Sequence, residues 1–141
     1  MTKWFQEDLR VQTAGREIRD ITPLIVELTD RSGIVTGLSN IFIAHTSASL
    51  MVTENADPAV HHDLEQFMRR TAPDGDTLYT HTDEGPDDMS AHVRSVLTEP
   101  SLSVPVVKGR LALGTWQGVY LWEHRVHPHL RHIVVTIWGE Q

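Results

Sequence analysis

Residues 81–92, HTDEGPDDMSAH, put two histidines and four carboxylates (Asp83, Glu84, Asp87 and Asp88) into a dozen positions. Imidazoles and carboxylates at this density suit ligation of a divalent ion or acid–base work near neutral pH. Gly85 lets the chain turn, and Pro86, with its fixed φ and missing N–H, suits the first turn of a helix. A helix starting at Pro86 places Asp87 and Asp88 where the helix dipole favours negative charge. Asp88 and His92 are then four apart and share one face. His81 and Glu84 lie on the loop just upstream. The same residues also describe a well-capped surface helix with solvated acids, and this segment alone leaves both readings open.

Other segments carry candidate groups. His45 ends an apolar strand and is followed by Thr46, Ser47 and Ser49, whose hydroxyls and backbone N–H groups suit a phosphate or an ordinary turn. Asn55 and Asp57 in ENADP either face a site or cap the helix that Pro58 opens; capping is the stronger local reading. His61 and His62 are adjacent on that helix, diverge in direction, and are expected at the surface or against a neighbour. In GTWQG, residues 114–118, two glycines flank Thr115, Trp116 and Gln117, which either offer polar groups and a flat ring to a ligand or form a bulge around a core Trp. On a strand, Tyr120, Trp122 and His124 share one face, and Leu121, Glu123 and Arg125 the other. His127, His129 and His132 are expected to be mostly exposed. His81, His92 and His124, from separate segments, are candidates for a three-imidazole divalent site with an open position for water, with His45 a fourth candidate. Glu84 and Asp88 would orient the imidazoles or act as base. No HExxH-type signature is present.

The elements that must position these groups follow from patterning. Residues 4–13 read as a strand and 17–19 as a second. A helix capped by Asp20 or Thr22 runs to Gly33. Residues 38–44 and 48–53 are strands, Pro58 opens a helix to Thr71, and the helix begun at Pro86 runs to Thr98. Residues 102–107 form a strand in which Pro105 marks an edge or bulge. Residues 119–125 and 133–138 read as a closing hairpin. Strands without βαβ alternation, plus two to three helices, predict an α+β single domain over residues 1–141, with a mostly antiparallel, sandwich- or barrel-like sheet.

A chain of 141 residues buries roughly 68–70% of its unfolded surface without staples. It has no cysteine, which excludes disulfides, thiolate metal sites and Cys nucleophiles. Its net charge of −7 argues against nucleic acid as a partner. Neither an N-terminal signal pattern nor a membrane-length apolar run is expected from the sequence.

HTSASL (45–50), ENADP (54–58), EGPDDM with His92, GRLALGTWQGVYLWEHR (109–125) and VVTIWGE (134–140) together resemble the YjbQ-like family, in order and spacing. Members of that family carry the name secondary thiamine-phosphate synthase. The resemblance implies a small cytoplasmic homotrimer whose shared polar residues gather in a cleft near subunit boundaries. Carried over by motif, Thr46, Ser47, Asn55, Asp57, Thr115, Trp116, Gln117 and Glu123 become expected substrate-binding residues. His45, Glu84, Asp88 and Arg125 become the expected catalytic groups. The implied reaction joins a pyrimidine diphosphate to a thiazole phosphate and expels pyrophosphate. Such a leaving group needs a divalent ion, zinc or magnesium, and cationic donors, for which Arg125, Lys108 and Arg110 are candidates.

Three functions are consistent with this reading. One is a metal-assisted enzyme on a small phosphorylated or heteroaromatic substrate, with thiamine phosphate synthesis its specific form. The second is a non-catalytic metal- or metabolite-binding trimer. The third is a metal-dependent hydrolase.

Overall fold

A computed structural model describes all residues, Met1–Gln141. Eight strands and three helices follow one another: β1 (Thr2–Gln12), β2 (Glu17–Asp20), α1 (Thr22–Ser32), β3 (Thr36–Ile43), β4 (Ala48–Glu54), α2 (Pro58–Thr71), α3 (Asp88–Leu97), β5 (Ser101–Val107), β6 (Arg110–Leu111), β7 (Gln117–Glu123) and β8 (Leu130–Glu140). They build two sheets, one ordered β1-β8-β3-β5-β6 and one ordered β2-β7-β4. Every pairing is antiparallel. The expected α+β architecture is the one observed. No helix is long and apolar enough to cross a membrane.

The core lies between the sheets. β8 alternates buried and half-buried residues, directing Ile133, Val135 and Ile137 inward. Ile41 and Ile43 of β3 and Val104 and Val106 of β5 join them from the same sheet. Ala48 and Leu50 of β4 and Val119 and Leu121 of β7 face them from the other, and α1 closes the side with Ile25 and Leu28. Burying a side chain of this size contributes about 1.5–3 kcal/mol. Several such residues from each sheet therefore hold the layers together.

The expected hairpin of residues 119–125 with 133–138 does not form, because β7 and β8 lie in different sheets. The burial pattern gives the reason. β7 is buried on both faces from Gly118 to Glu123, with Val119 and Leu121 toward the core and Tyr120 and Trp122 toward α2. β8 instead has only one fully buried face. β7 is accordingly the middle strand of a small sheet covered by helices, and the connection through Pro128 crosses to the larger one. Pro105 does sit near an edge, since β6 pairs only with Val106 and Val107.

α2 begins and ends where the sequence places it. Asp57 accepts the Ala59 N–H at 2.9 Å, which is the capping role. α3 starts at Asp88, two residues after the expected position. Pro86 is held back in the preceding turn, where its carbonyl accepts the Gly75 N–H at 2.9 Å. α1 has Ile21 at its N-cap, with the Asp20 carboxylate accepting the Thr22 N–H and Gly33 closing the far end at φ 69°.

Candidate functional site

The loop 84–88 and the end of β7 are joined by one side chain. Arg125 donates from Nε to Asp87 Oδ2 at 2.9 Å, from Nη1 to Asp88 Oδ1 at 2.9 Å, and from Nη2 to the Glu84 carbonyl at 3.0 Å. The Val126 N–H adds a fourth bond, to Asp87 Oδ2 at 3.0 Å. Gly85 makes the loop possible, since its φ of 98° belongs to the region that side chains avoid. Asp87 and Asp88 are 5% and 2% exposed, so both carboxylates depend on Arg125 for charge compensation.

The remaining oxygen of Asp88 faces two imidazoles. His81 Nε2 lies 2.7 Å from Oδ2 and His92 Nε2 lies 3.3 Å from it. The rings stand edge to face with centroids 5.3 Å apart. One ligand atom from each of His81, Asp88 and His92 falls within 4.8 Å of the others. Burial alone would raise the Asp88 pKa. Hydrogen bonding with His81 and the Glu84 side chain, and the positive charge of Arg125, outweigh it and hold the carboxyl below its ordinary range. Asp87 is likewise held low against its burial, by the Val126 N–H and Arg125.

Two open depressions flank this cluster. One of about 430 Å³ is bordered by Tyr79, His81, Thr82, Gly85 and Pro86. The other, of about 340 Å³, is bordered by His45, Thr46, His92 and Ser95. The structure therefore brings His45 and Thr46 to a surface shared with His92. Both ring nitrogens of His45 face donors: Nε2 accepts the His132 N–H at 2.8 Å, and Nδ1 lies 3.3 Å from Arg131 Nη1. Burial, then the charges of Arg131 and His132, push its pKa down.

Other expected site residues are used differently. Glu123 is fully buried and forms an ion pair with Arg131, and its carboxylate also accepts Thr13 Oγ1 at 2.7 Å and the Arg125 N–H at 3.1 Å. Ser47 accepts Arg131 through both its carbonyl and its hydroxyl. Glu123 and Ser47 thus tie the two sheets together instead of facing an open depression. His124 is absent from the three-residue cluster. It is sealed from solvent, with Nε2 2.8 Å from Ser49 Oγ, its ring beside Trp122, and Nδ1 without a partner. Burial, with the charges of Arg94, Arg16 and Arg131, pushes its pKa down to about 3. The expected three imidazoles do not meet: His124, just past β7, is buried against Ser49 and Trp122, while α3 sets Asp88 one turn from His92.

Asn55, Thr115, Trp116 and Gln117 meet at the opposite end of the β4–β7 pair. Asn55 Nδ2 donates to the carbonyls of Thr115 and Gln117, each at 3.1 Å, and Trp116 is 65% exposed. Ala48 pairs with Glu123 and Glu54 with Gln117, so six residue steps, roughly 20 Å, separate the two ends. Within one chain these residues and Asp57 do not join the histidine cluster. Lys108 and Arg110 flank the β5–β6 turn and border neither depression.

Sequence reasoning missed Arg131 and gave Asp87 only a place in a helix turn. Arg131 had a readable signal: it stands in phase with Ile133, Val135 and Ile137 on an alternating strand. A charge on the inward phase requires a buried partner, and Glu123 stands in the same phase as Val119 and Leu121.

The likeness to known proteins spans nearly the whole chain. Residues 7–140 match the family model described as UPF0047 protein YjbQ-like. The UPF0047 protein sll1880 of Synechocystis sp. is 48% identical over 135 residues, 96% of this chain and 92% of that protein. YjbQ of Escherichia coli O157:H7 is 44% identical over 138 residues, covering 97% of this chain and 99% of the relative. A solved YbjQ-like protein from Sulfolobus solfataricus P2 superimposes with a TM-score of 0.90 at 29% identity, covering 99% of this chain and 100% of that one. With family pattern, sequence and fold in agreement from end to end, the chain belongs to the UPF0047 YjbQ-like family.

Proposed function

We propose that this chain is a divalent-metal-assisted enzyme acting on a small phosphorylated or heteroaromatic substrate. Its specific form is the joining of a pyrimidine diphosphate to a thiazole phosphate with release of pyrophosphate. The observation that carries the reading is Asp88 Oδ2, turned toward two imidazole nitrogens at 2.7 and 3.3 Å between two open depressions. The donor set fits a divalent ion. Two imidazoles and one carboxylate are a common ligand combination, and Arg125 on Asp88 Oδ1 supplies the orienting contact such carboxylates receive. An ion held there supplies Lewis-acid neutralisation of a departing phosphate oxygen. His81 and His92 would hold it, Asp88 would fix its position, and His45 and Thr46 would line the floor beside it. Purified protein, stripped with chelator and reloaded with zinc or magnesium, is expected to form thiamine phosphate and pyrophosphate from the two precursors. No product with either ion sinks the specific reaction.

A metal-binding role without turnover is the second reading. It is favoured by the engagement of Arg125 with Asp87, Asp88 and Glu84, which occupies three of its five N–H donors and pairs its charge inside the protein. Metal that raises the melting temperature while no phosphate ester or diphosphate turns over would select it. A homotrimer belongs to either reading, supported by the exposed apolar side chains of Val96 and Leu97 beside His92. Sedimentation of the purified protein tests it.

A further inference from the structure

On α3, Asp88 and His92 lie one turn apart, and so do Ser90 and Arg94. Two residue steps rotate a helix by about 200°, so the second pair faces away from the histidine cluster. Arg94 borders a cavity of about 600 Å³, with Arg16, Arg69, Asp74, Gly15 and Val126, and Ser90 bonds Asp74 at its edge. This volume lies within the range of small-ligand sites.

The charges around this cavity do not balance. Arg94 is fully buried, and only its Nη1 has a partner, Glu65 Oε2 at 2.8 Å. Its Nε and Nη2 have none. Glu65 is also shared with Arg69 Nε at 3.4 Å and Trp122 Nε1 at 3.2 Å, so one carboxylate serves two guanidiniums. Asp74 is taken up by both terminal nitrogens of Arg16 at 2.8 Å and by Ser90. Three guanidiniums against two carboxylates leave one positive charge in a concavity of a chain whose net charge is −7. A water accepting from Arg94 would satisfy a hydrogen bond but would not neutralise the excess charge that Arg94 and Arg69 share across the one Glu65 carboxylate. The cavity wall is also fixed by the backbone: a Cβ on Gly15 would lie 2.5 Å from the Val126 carbonyl oxygen.

We infer that this cavity is an oxyanion site, taking phosphate or the phosphoryl group of a small metabolite, built on Arg94 with Arg16 and Arg69 and separate from the histidine cluster. Guanidinium N–H pairs match phosphate oxygens in geometry and charge. Arg94 supplies the buried contact, and Arg69, whose side chain is 57% exposed, stands at the mouth.

Calorimetric titration of the full chain with inorganic phosphate tests this, in chelator and at constant ionic strength so that no metal contributes. One saturable site is expected. Arg69→Ala should weaken it by roughly tenfold, the loss of about one charge-assisted hydrogen bond. Arg94→Gln should abolish it, and His81→Ala should leave it unchanged. Titration with glycerol phosphate separates a free-ion site from one that accepts a phosphoryl group on an organic molecule. If Arg94→Gln does not fold, Arg69→Ala and Arg16→Gln still decide the question. The inference is overturned by no saturable binding to the wild type. It is equally overturned by binding that survives Arg69→Ala and Arg16→Gln undiminished, or that disappears in His81→Ala.

Discussion

Arg125 Nη1 meets Asp88 Oδ1 at 2.9 Å, and this contact turns the other carboxylate oxygen toward His81 and His92. The arginine follows β7 by two residues and the aspartate starts α3, so the site exists only when the small sheet and that helix are docked. Stability and ligand geometry are therefore coupled through this pair.

Replacing Arg125 with Ala should cost about 3–5 kcal/mol in urea unfolding, because Asp87 and Asp88 are left buried without their partner. Arg125→Lys should recover only part of this, since one ammonium cannot span two carboxylates and the Glu84 carbonyl. Equal stability of the lysine variant and the wild type would contradict this account of the loop.

Glu123 and Arg131 form the equivalent link in the core. Glu123→Gln should destabilise by about 3–5 kcal/mol, because Arg131 stays buried with its charge uncompensated. Adding Arg131→Met to that variant should restore part of the loss. A double mutant less stable than Glu123→Gln would show that Arg131 contributes through Ser47 and His45 and not mainly through its charge partner.

Stability should fall as the medium is acidified, in two stages. His124, with its pKa pushed down to about 3, stays neutral when folded and takes up a proton only when unfolded, at an ordinary pKa of about 6.5. The unfolded chain thus binds more protons between those values, and unfolding free energy drops with falling pH by on the order of 1 kcal/mol per unit. His45, also lowered, acts in the same direction. Asp87 and Asp88 are lowered carboxyls, so their contribution is present above about 4 and is lost only as pH falls further. Urea midpoints measured from pH 7 to 3.5 in chelator should decline across the whole interval, and His124→Gln should flatten the upper part. A flat wild-type profile above pH 4.5 would refute the assignment to His124.

His81 and His92 are partly exposed, so replacing either with Ala should change stability little. Zinc affinity should fall by on the order of 10–100-fold or more, since even outer partners of a metal site carry that much. Competition titration against a chromogenic chelator reads this directly.

The sequence made much of this legible, for identifiable reasons. Pro58 and Thr71 bound α2 because proline and the apolar stripe act locally, and the same holds for Gly33 at the end of α1. Asp88 and His92 were readable as neighbours because four residues make one helical turn. The fate of His124 was not readable. Its strand alternation was correct, but both faces of β7 are covered, and whether the outer face meets water or α2 is decided by long-range packing. The same ambiguity hid the placement of β7 and β8 in separate sheets. The meeting of Arg94 with Arg16 and Arg69 joins three segments far apart in the chain, and no local spacing encodes it.

Whether His81, Asp88 and His92 hold one divalent ion, as proposed, is tested most directly by X-ray absorption at the zinc edge. Protein loaded with one equivalent of zinc should show two imidazole nitrogens plus oxygens at about 2.0–2.1 Å. His81→Ala should remove one imidazole from that shell. Failure to retain one equivalent, or a shell of imidazoles unchanged in His81→Ala, would contradict it.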